Sequence, residues 1–360
     1  MSARVPMQAN DADAALLTAH DLRSNASHIP RRKVEMPVLP PADEEQPWVG
    51  PHGQIMRRLE LHLTYHCPER CIFCSEEHRM EAFHPFDVTW GRVATVLRTH
   101  AARGVQAVHL TGGEPTLHPQ FVEVCMLARK LGMRTSVGTI GTMLAKPNFA
   151  EKAVPWLDEA LFSIHGPNAE IHDALTRRAG SFETVTRALR NALAVNPGFG
   201  AFVNTVVTRL NVDHLGETVE MAAAMGAKLI VISNTTPEGG GLDHFDQIEL
   251  PLAKLAAVMP TLPERAGGAI VRFFGMPMCL LAPHESLSND VHWDPRVTVE
   301  WGREPGKVVF RDFYNWEPNR KRVHVEACQG CTRRGVCMGV YDTYADRYAT
   351  PELRPYLEAR

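Results

Sequence analysis

The sequence predicts an α/β fold: an open, partial (β/α)6 barrel of the TIM type followed by a small cysteine-rich cap. Three observations carry that expectation. Six strand-like apolar runs alternate with helical patterns between residues 56 and 265. Glycine or proline punctuates most of the switches. Four of the eight cysteines gather after residue 265.

Taken in order, residues 58–64 alternate apolar and polar side chains, as a half-buried strand does, and end at a run of cysteines. Residues 88–103 read as a helix, 106–111 as the second strand closed by Gly112-Gly113, and 119–131 as a helix stopped by Gly132. A strand over 134–139 ends at Gly141, a short helix covers 146–154, a strand 159–164, and a helix over 182–195 stops at Pro197-Gly198. The fifth strand covers 201–208, the helix 215–225 ends at Gly226, the sixth strand covers 228–233, and the helix 252–258 ends before Pro260. Strands alternating with helices of this length imply right-handed βαβ units and a parallel sheet. Six units are fewer than a closed barrel needs, so the barrel is open, with its chemistry at the C-terminal strand ends.

Residues 1–55 differ. They carry seven prolines, the charged run Asp43-Glu44-Glu45 and one short helical pattern over 11–22. They read as an N-terminal arm, draped over the barrel or partly disordered. The expected organisation is an arm (1–55), a barrel core (56–265) and a cap (266–360). With 360 residues, 44% hydrophobic and 22% charged, the chain suffices for one large core plus an appendage. A net charge of −3 leaves no electrostatic footprint for nucleic acid or a lipid surface. No run of about 18 apolar residues spans a membrane, and no secretory signal opens the chain. Cysteines on ligand-type spacings without such a signal fit a reducing cytoplasm.

The chemistry centres on His66-Cys67-Pro68-Glu69-Arg70-Cys71-Ile72-Phe73-Cys74, a C-x3-C-x2-C run at the end of the first strand. Three thiolates hold three corners of a [4Fe–4S] cube and leave the fourth iron open to a substrate or cosubstrate. A zinc site more often draws on four ligands in paired units.

At this run the chain resembles the radical S-adenosylmethionine (radical SAM) enzymes. Phe73 is the aromatic residue this family often places before the third cysteine, and Gly112-Gly113-Glu114-Pro115 matches its GGEP motif after the second strand. Ser163-Ile164-His165-Gly166-Pro167, Ile171-His172-Asp173 and Gly180-Ser181-Phe182 are similar to the fourth strand and following helix of its peptide-modifying branch. The resemblance covers about residues 56–240. It implies a catalytic [4Fe–4S] cluster on Cys67, Cys71 and Cys74, with S-adenosylmethionine (SAM) chelated to its open iron. Reductive cleavage would give a 5′-deoxyadenosyl radical that abstracts hydrogen from the substrate. Gly112 and Gly113 would let the backbone approach the methionine moiety. Glu114 would meet its ammonium. Ser163 and Arg177 would lie near the carboxylate and ribose, with Arg178 an equal alternative to Arg177. Asn204 is the ribose candidate, and the strand end at Ile232, Ser233 and Asn234 the adenine candidate. Each has a plainer reading: a turn at the glycines, a strand-end polar group at Ser163, a structural hydrogen bond at Asn204, and a barrel-mouth histidine at His165.

Cys279 and the run Cys328-x2-Cys331-x5-Cys337 form a second set. It resembles the auxiliary-cluster region called SPASM, except that Tyr341 stands where that pattern continues with cysteine. Four thiolates suffice for one auxiliary [4Fe–4S] cluster, as in the shorter twitch form, or for a structural zinc site. The expected activity is radical modification, oxidative or cross-linking, of a peptide, with a small-molecule biosynthetic intermediate as the alternative. A low-potential donor such as flavodoxin or ferredoxin would supply the electron. A non-catalytic Fe–S carrier or redox sensor is the alternative of another class, but it needs no SAM pocket.

Overall fold

The computed structural model describes residues 47–50, 53–305, 307–348 and 350–357. The arm up to residue 46, with its helical pattern over 11–22, lies outside them. The chain runs through β1 (Arg58–Thr64), α1 (Glu77–Phe83), α2 (Trp90–Ala102), β2 (Ala107–Gly112), α3 (Phe121–Lys130), β3 (Arg134–Thr139) and α4 (Pro147–Ala153). It continues through β4 (Glu159–Ser163), α5 (Ala169–Thr176), α6 (Ser181–Val195), β5 (Gly200–Val207), α7 (Leu215–Ala224) and β6 (Leu229–Asn234), with a further helix at Leu252–Val258. Among the described residues, the strands and helices expected from the sequence are all present, within two residues of their expected bounds.

The sheet then continues. β7 (Ile270–Phe274) joins β6, β8 (Arg296–Glu304) joins β1, and β9 (Lys307–Asn315) closes a hairpin on β8. The strand order is β7-β6-β5-β4-β3-β2-β1-β8-β9, parallel except for the antiparallel β8–β9 pair, and the sheet is not closed. A two-stranded antiparallel pair, β10 (Arg322–Val323) with β11 (Val340–Tyr341), frames the cysteine-rich segment. Among the described residues no helix is long and apolar enough to cross a membrane.

Alternation decides which faces are buried. Leu59, Leu61 and Leu63 of β1 enter one core with Val93 and Leu97 of α2 and with Val124 and Cys125 of α3. Glu60 and His62 fall on the other face. α6 buries Val185, Ala188, Leu189 and Ala192, a single stripe at helical spacing. Trp48 packs against His100 of α2 and Tyr314 of β9, with the Arg103 guanidinium 4.4 Å above its ring.

Candidate active site

The cysteine loop leaves β1 at its C-terminal end, where a parallel sheet puts its chemistry. Its shape is set by backbone hydrogen bonds to the end of α5: Arg70 N donates to Thr176 O (3.1 Å) and Ile72 N to Leu175 O (2.9 Å). Arg70 turns back on the loop and donates to Cys67 O (2.7 Å) and Glu69 O (2.8 Å). Arg178 donates to Pro68 O (2.9 Å). From the opposite side, Gly240 N donates to Cys74 O (2.8 Å). Cys67, Cys71 and Cys74 are all free and partly accessible. Burial pushes each of the three thiols above its ordinary value. Nearby negative charge adds to this: Glu69 and Glu114 at Cys67, Glu69 at Cys71, and Glu76 and Glu77 at Cys74. Glu69 is buried, with its own carboxyl pushed up to about 7 by that burial, and it accepts from Cys71 Sγ (3.4 Å). Thiolates in such a place need a multiply charged cation beside them, and the iron of a cluster meets that need.

The two glycines after β2 make room for the protein's own backbone. Gly113 N donates to Thr64 O (2.6 Å) and Glu114 N to His66 O (2.7 Å). A Cβ on Gly112 would stand 2.2 Å from Thr64 O, and one on Gly113 2.5 Å from His66 O. Gly112 also has φ +118°, a conformation that side-chain-bearing residues rarely adopt. The turn thus clamps the end of β2 onto the start of the cysteine loop. Glu114 is fully buried, and its carboxylate is occupied by this chain. One oxygen accepts from Thr116 N (3.2 Å), Thr116 Oγ1 and Thr139 Oγ1 (2.7 Å); the other accepts from Ile140 N (2.8 Å) and Thr139 Oγ1 (3.0 Å).

Ser163, at the end of β4, is the register partner of Asn204 within β5, and Ser233 Oγ donates to Asn204 Oδ1 (2.6 Å). The three form a polar patch on one face of the sheet. Ile232 is fully buried, one position out of phase with Ser233, so its side chain lies on the opposite face and only its backbone reaches this edge. Phe73 packs with Ile72, Leu175 and Ile248, and meets the His165 ring edge-on at 4.6 Å. His165 itself is buried and stacked on His172 at 5.5 Å. Its N–H donates to His172 Nδ1 (3.0 Å), while its Nδ1 accepts from Val206 N (3.2 Å). Arg177, in the left-handed conformation at the end of α5, contacts His244 Nε2 (3.2 Å) rather than the cysteine loop.

Two arrangements bring together residues whose contact the sequence does not state. The Asp173 carboxylate accepts from Gly180 N (2.7 Å), Phe182 N (2.8 Å) and Ser181 Oγ (2.9 Å), so the Ile171-His172-Asp173 and Gly180-Ser181-Phe182 segments are two halves of one corner. Between β1 and β8, His62 lies among Glu60, Glu76 and Glu300, and Arg79 and Arg296 pair with those carboxylates. Burial works against the His62 imidazolium, but the surrounding carboxylates hold its pKa above the ordinary value. Only period-2 alternation hints at this cluster, by placing Glu60 and His62 on one face.

Cys279, distant in sequence, lines one pocket with Cys328, Cys331 and Cys337, together with His324 and Arg333. Met278 N and Gly339 N each donate to Cys337 Sγ (3.4 Å). Among the described residues no three Cys, His, Asp or Glu side chains stand close enough to share one metal ion.

The radical SAM superfamily model matches residues 61–222. The mycofactocin maturase MftC of Mycolicibacterium smegmatis is 32% identical over 191 residues, 53% of this chain and 47% of that protein. The PqqA peptide cyclase of Rhodopseudomonas palustris is 30% identical over 277 residues, 76% of this chain and 67% of that protein. The chain thus spans about half to two thirds of the length of these relatives. The crystal structure of Streptococcus suis SuiB bound to S-adenosylmethionine shares the fold, with a TM-score of 0.55 at 14% identity over 86% of this chain and 78% of that one. A family match that begins in β1 and takes in the cysteine loop, with a relative aligned over two thirds of its length, makes this chain a member of the radical SAM superfamily, whose chemistry rests on S-adenosylmethionine and a [4Fe–4S] cluster.

Proposed function

We propose that the chain is a radical SAM enzyme that modifies a peptide, by oxidation or cross-linking. One observation carries the catalytic half. Three thiols in one short loop share a desolvated, negatively charged environment at the C-terminal edge of a parallel sheet, beside the strand ends of β2, β4, β5 and β6. Cys67, Cys71 and Cys74 would hold the catalytic cluster. The cluster and SAM together supply a 5′-deoxyadenosyl radical when an electron arrives. The residues at the edge bind and orient. Gly112 and Gly113 fix the turn at the cysteine loop, Ser163 and Asn204 offer hydroxyl and amide groups for the ribose, and the strand end at Ile232, Ser233 and Asn234 lies beside them for the adenine. Arg178 lies against the loop at Pro68 O and Arg177 lies against His244, and one of the two would meet the SAM carboxylate. Cys279, Cys328, Cys331 and Cys337 would hold one auxiliary [4Fe–4S] cluster in the C-terminal region (266–360), whose β7, β8 and β9 extend the sheet of the barrel core (56–265).

The peptide reading is supported by the relatives, named as a mycofactocin maturase and PqqA peptide cyclases, and by the fold shared with SuiB, whose structure is also known bound to the precursor peptide SuiA. Cysteines on ligand spacings suit the cytoplasm, where a flavodoxin or ferredoxin would deliver the low-potential electron. The test is anaerobic reconstitution with iron and sulfide. The parent is expected to cleave SAM to 5′-deoxyadenosine with dithionite, and Cys71→Ala to lose that activity, because two thiolates do not retain the cube. Undiminished cleavage by the variant would sink the catalytic assignment. If a short precursor peptide is encoded beside this gene, it is expected to change mass in the same reaction; the absence of any such peptide with turnover of a small molecule would overturn the peptide reading.

A further inference from the structure

One guanidinium outside the candidate active site ties together the two backbone segments whose N–H groups donate to Cys337 Sγ. Arg322, at the start of the described β10–β11 pair, has a side chain only 1% exposed and is paired with the fully buried Asp290 side chain (Nη1 to Oδ1, 2.8 Å). Its Nε and Nη2 both donate to Gly339 O (3.2 and 2.9 Å), and Nη2 also donates to Met276 O (3.1 Å). Those carbonyls belong to the two chain segments whose N–H groups, at Met278 and Gly339, point at Cys337 Sγ. Asp290 is itself fixed: its N–H donates to Ser288 Oγ (3.2 Å), and Ser288 bridges to Phe273 of β7. The pair therefore pins the Cys337 segment to the edge of the main sheet.

A buried ion pair is weak evidence for stability as such, because desolvation consumes much of its attraction. Its fork geometry is the more informative feature. A planar donor set holds two carbonyls at fixed separation in a way a lysine ammonium does not. Hydrogen bonds to a cluster's sulfurs tune its potential, because they favour the more negative, reduced state.

We propose that Arg322, oriented by Asp290, is a positioning residue that sets the reduction potential of the group held by the four C-terminal cysteines, by fixing the two N–H donors on Cys337. This rests on the auxiliary-cluster reading above. Arg322 touches no cysteine; it acts through the backbone at Met276 and Gly339.

The test uses the full chain with Cys67, Cys71 and Cys74 all changed to Ala, so that only the C-terminal site is loaded. Iron content and the midpoint potential of that site are measured with and without two changes: Arg322→Lys, which keeps the charge and loses the fork, and the charge-neutral pair Asp290→Asn with Arg322→Gln. Both are expected to keep their iron and to lower the potential by at least about 59 mV, a tenfold change in a one-electron equilibrium. A potential equal to the parent's at full iron content overturns the inference. So does loss of iron in both variants, since the clamp would then serve assembly and not potential. Zinc, or no metal at all, in the parent of this series removes the auxiliary-cluster reading itself, a failure distinct from the other two.

Discussion

Glu114 shows how a residue can sit in a signature and do more than the signature says. Each of its two oxygens accepts one backbone N–H, from Thr116 on one side and Ile140 on the other, with the Thr116 and Thr139 hydroxyls filling in. An amide has only one oxygen. Glu114→Gln must therefore turn an NH2 group toward a backbone N–H that cannot rotate away. A buried donor left unsatisfied costs about 1–3 kcal/mol. Denaturant unfolding of the cofactor-free variant is expected to show that loss before any SAM is added. Unchanged stability would mean that the carboxylate is free to serve the SAM ammonium and that its internal contacts count for little. The Gly-Gly-Glu-Pro run was legible as a turn of chemical consequence. Its partner at Thr139 was not, because that contact spans a helix and a strand.

At the scale of elements, the corner between β4, α5 and α6 holds the cysteine loop from below. α5 is short and announces itself only through Asn168, whose side chain caps Ile171 N (3.1 Å), so periodicity alone does not separate it from the following helix. The corner docks through two neutral histidines. Burial pushes the His172 imidazole down to about 4, and His165, deeper still, is pushed down by burial and by His172. The sign follows from linkage. The folded corner refuses a proton that the unfolded chain accepts near the ordinary value of about 6.5, so stability contributed by His172 is complete above that pH and is lost as pH falls toward 4. Between pH 7 and 5 the loss is about 2 kcal/mol. His172→Gln keeps an acceptor for the His165 N–H and removes the titration. The parent is expected to lose about 2 kcal/mol more than this variant between those pH values in urea unfolding. Parallel pH profiles would place the His172 proton elsewhere. Carboxylates raised by burial, such as Glu249 at about 7, contribute the opposite slope, which is why the difference between parent and variant is the quantity to measure.

At the scale of the molecule, the six strand–helix units were legible because each unit is local: alternation, a helical stripe and a glycine or proline stop. The strands after residue 265 also alternate, but no local pattern says that β8 crosses the molecule to pair in parallel with β1, or that β7 extends the other side. That pairing makes a specific demand on stability. Val271 and Phe273 of β7, and Val297, Val299 and Trp301 of β8, are all at most 4% exposed in the shared core. At about 1.5–3 kcal/mol for each fully buried side chain, they represent roughly 8–15 kcal/mol, as much as the whole stability of an ordinary domain. Removing them would also bare the backbone edge of β1, directly beneath the cysteine loop, as a template for aggregation. A fragment ending at residue 265 is therefore expected to be insoluble or to melt without a cooperative transition, followed by circular dichroism and light scattering, and to retain no iron on Cys67, Cys71 and Cys74. A soluble fragment with a sharp transition and a loaded cluster would instead make 56–265 a self-sufficient core. The later strands would then be an addition to the sheet and not part of what holds the cysteine loop in place.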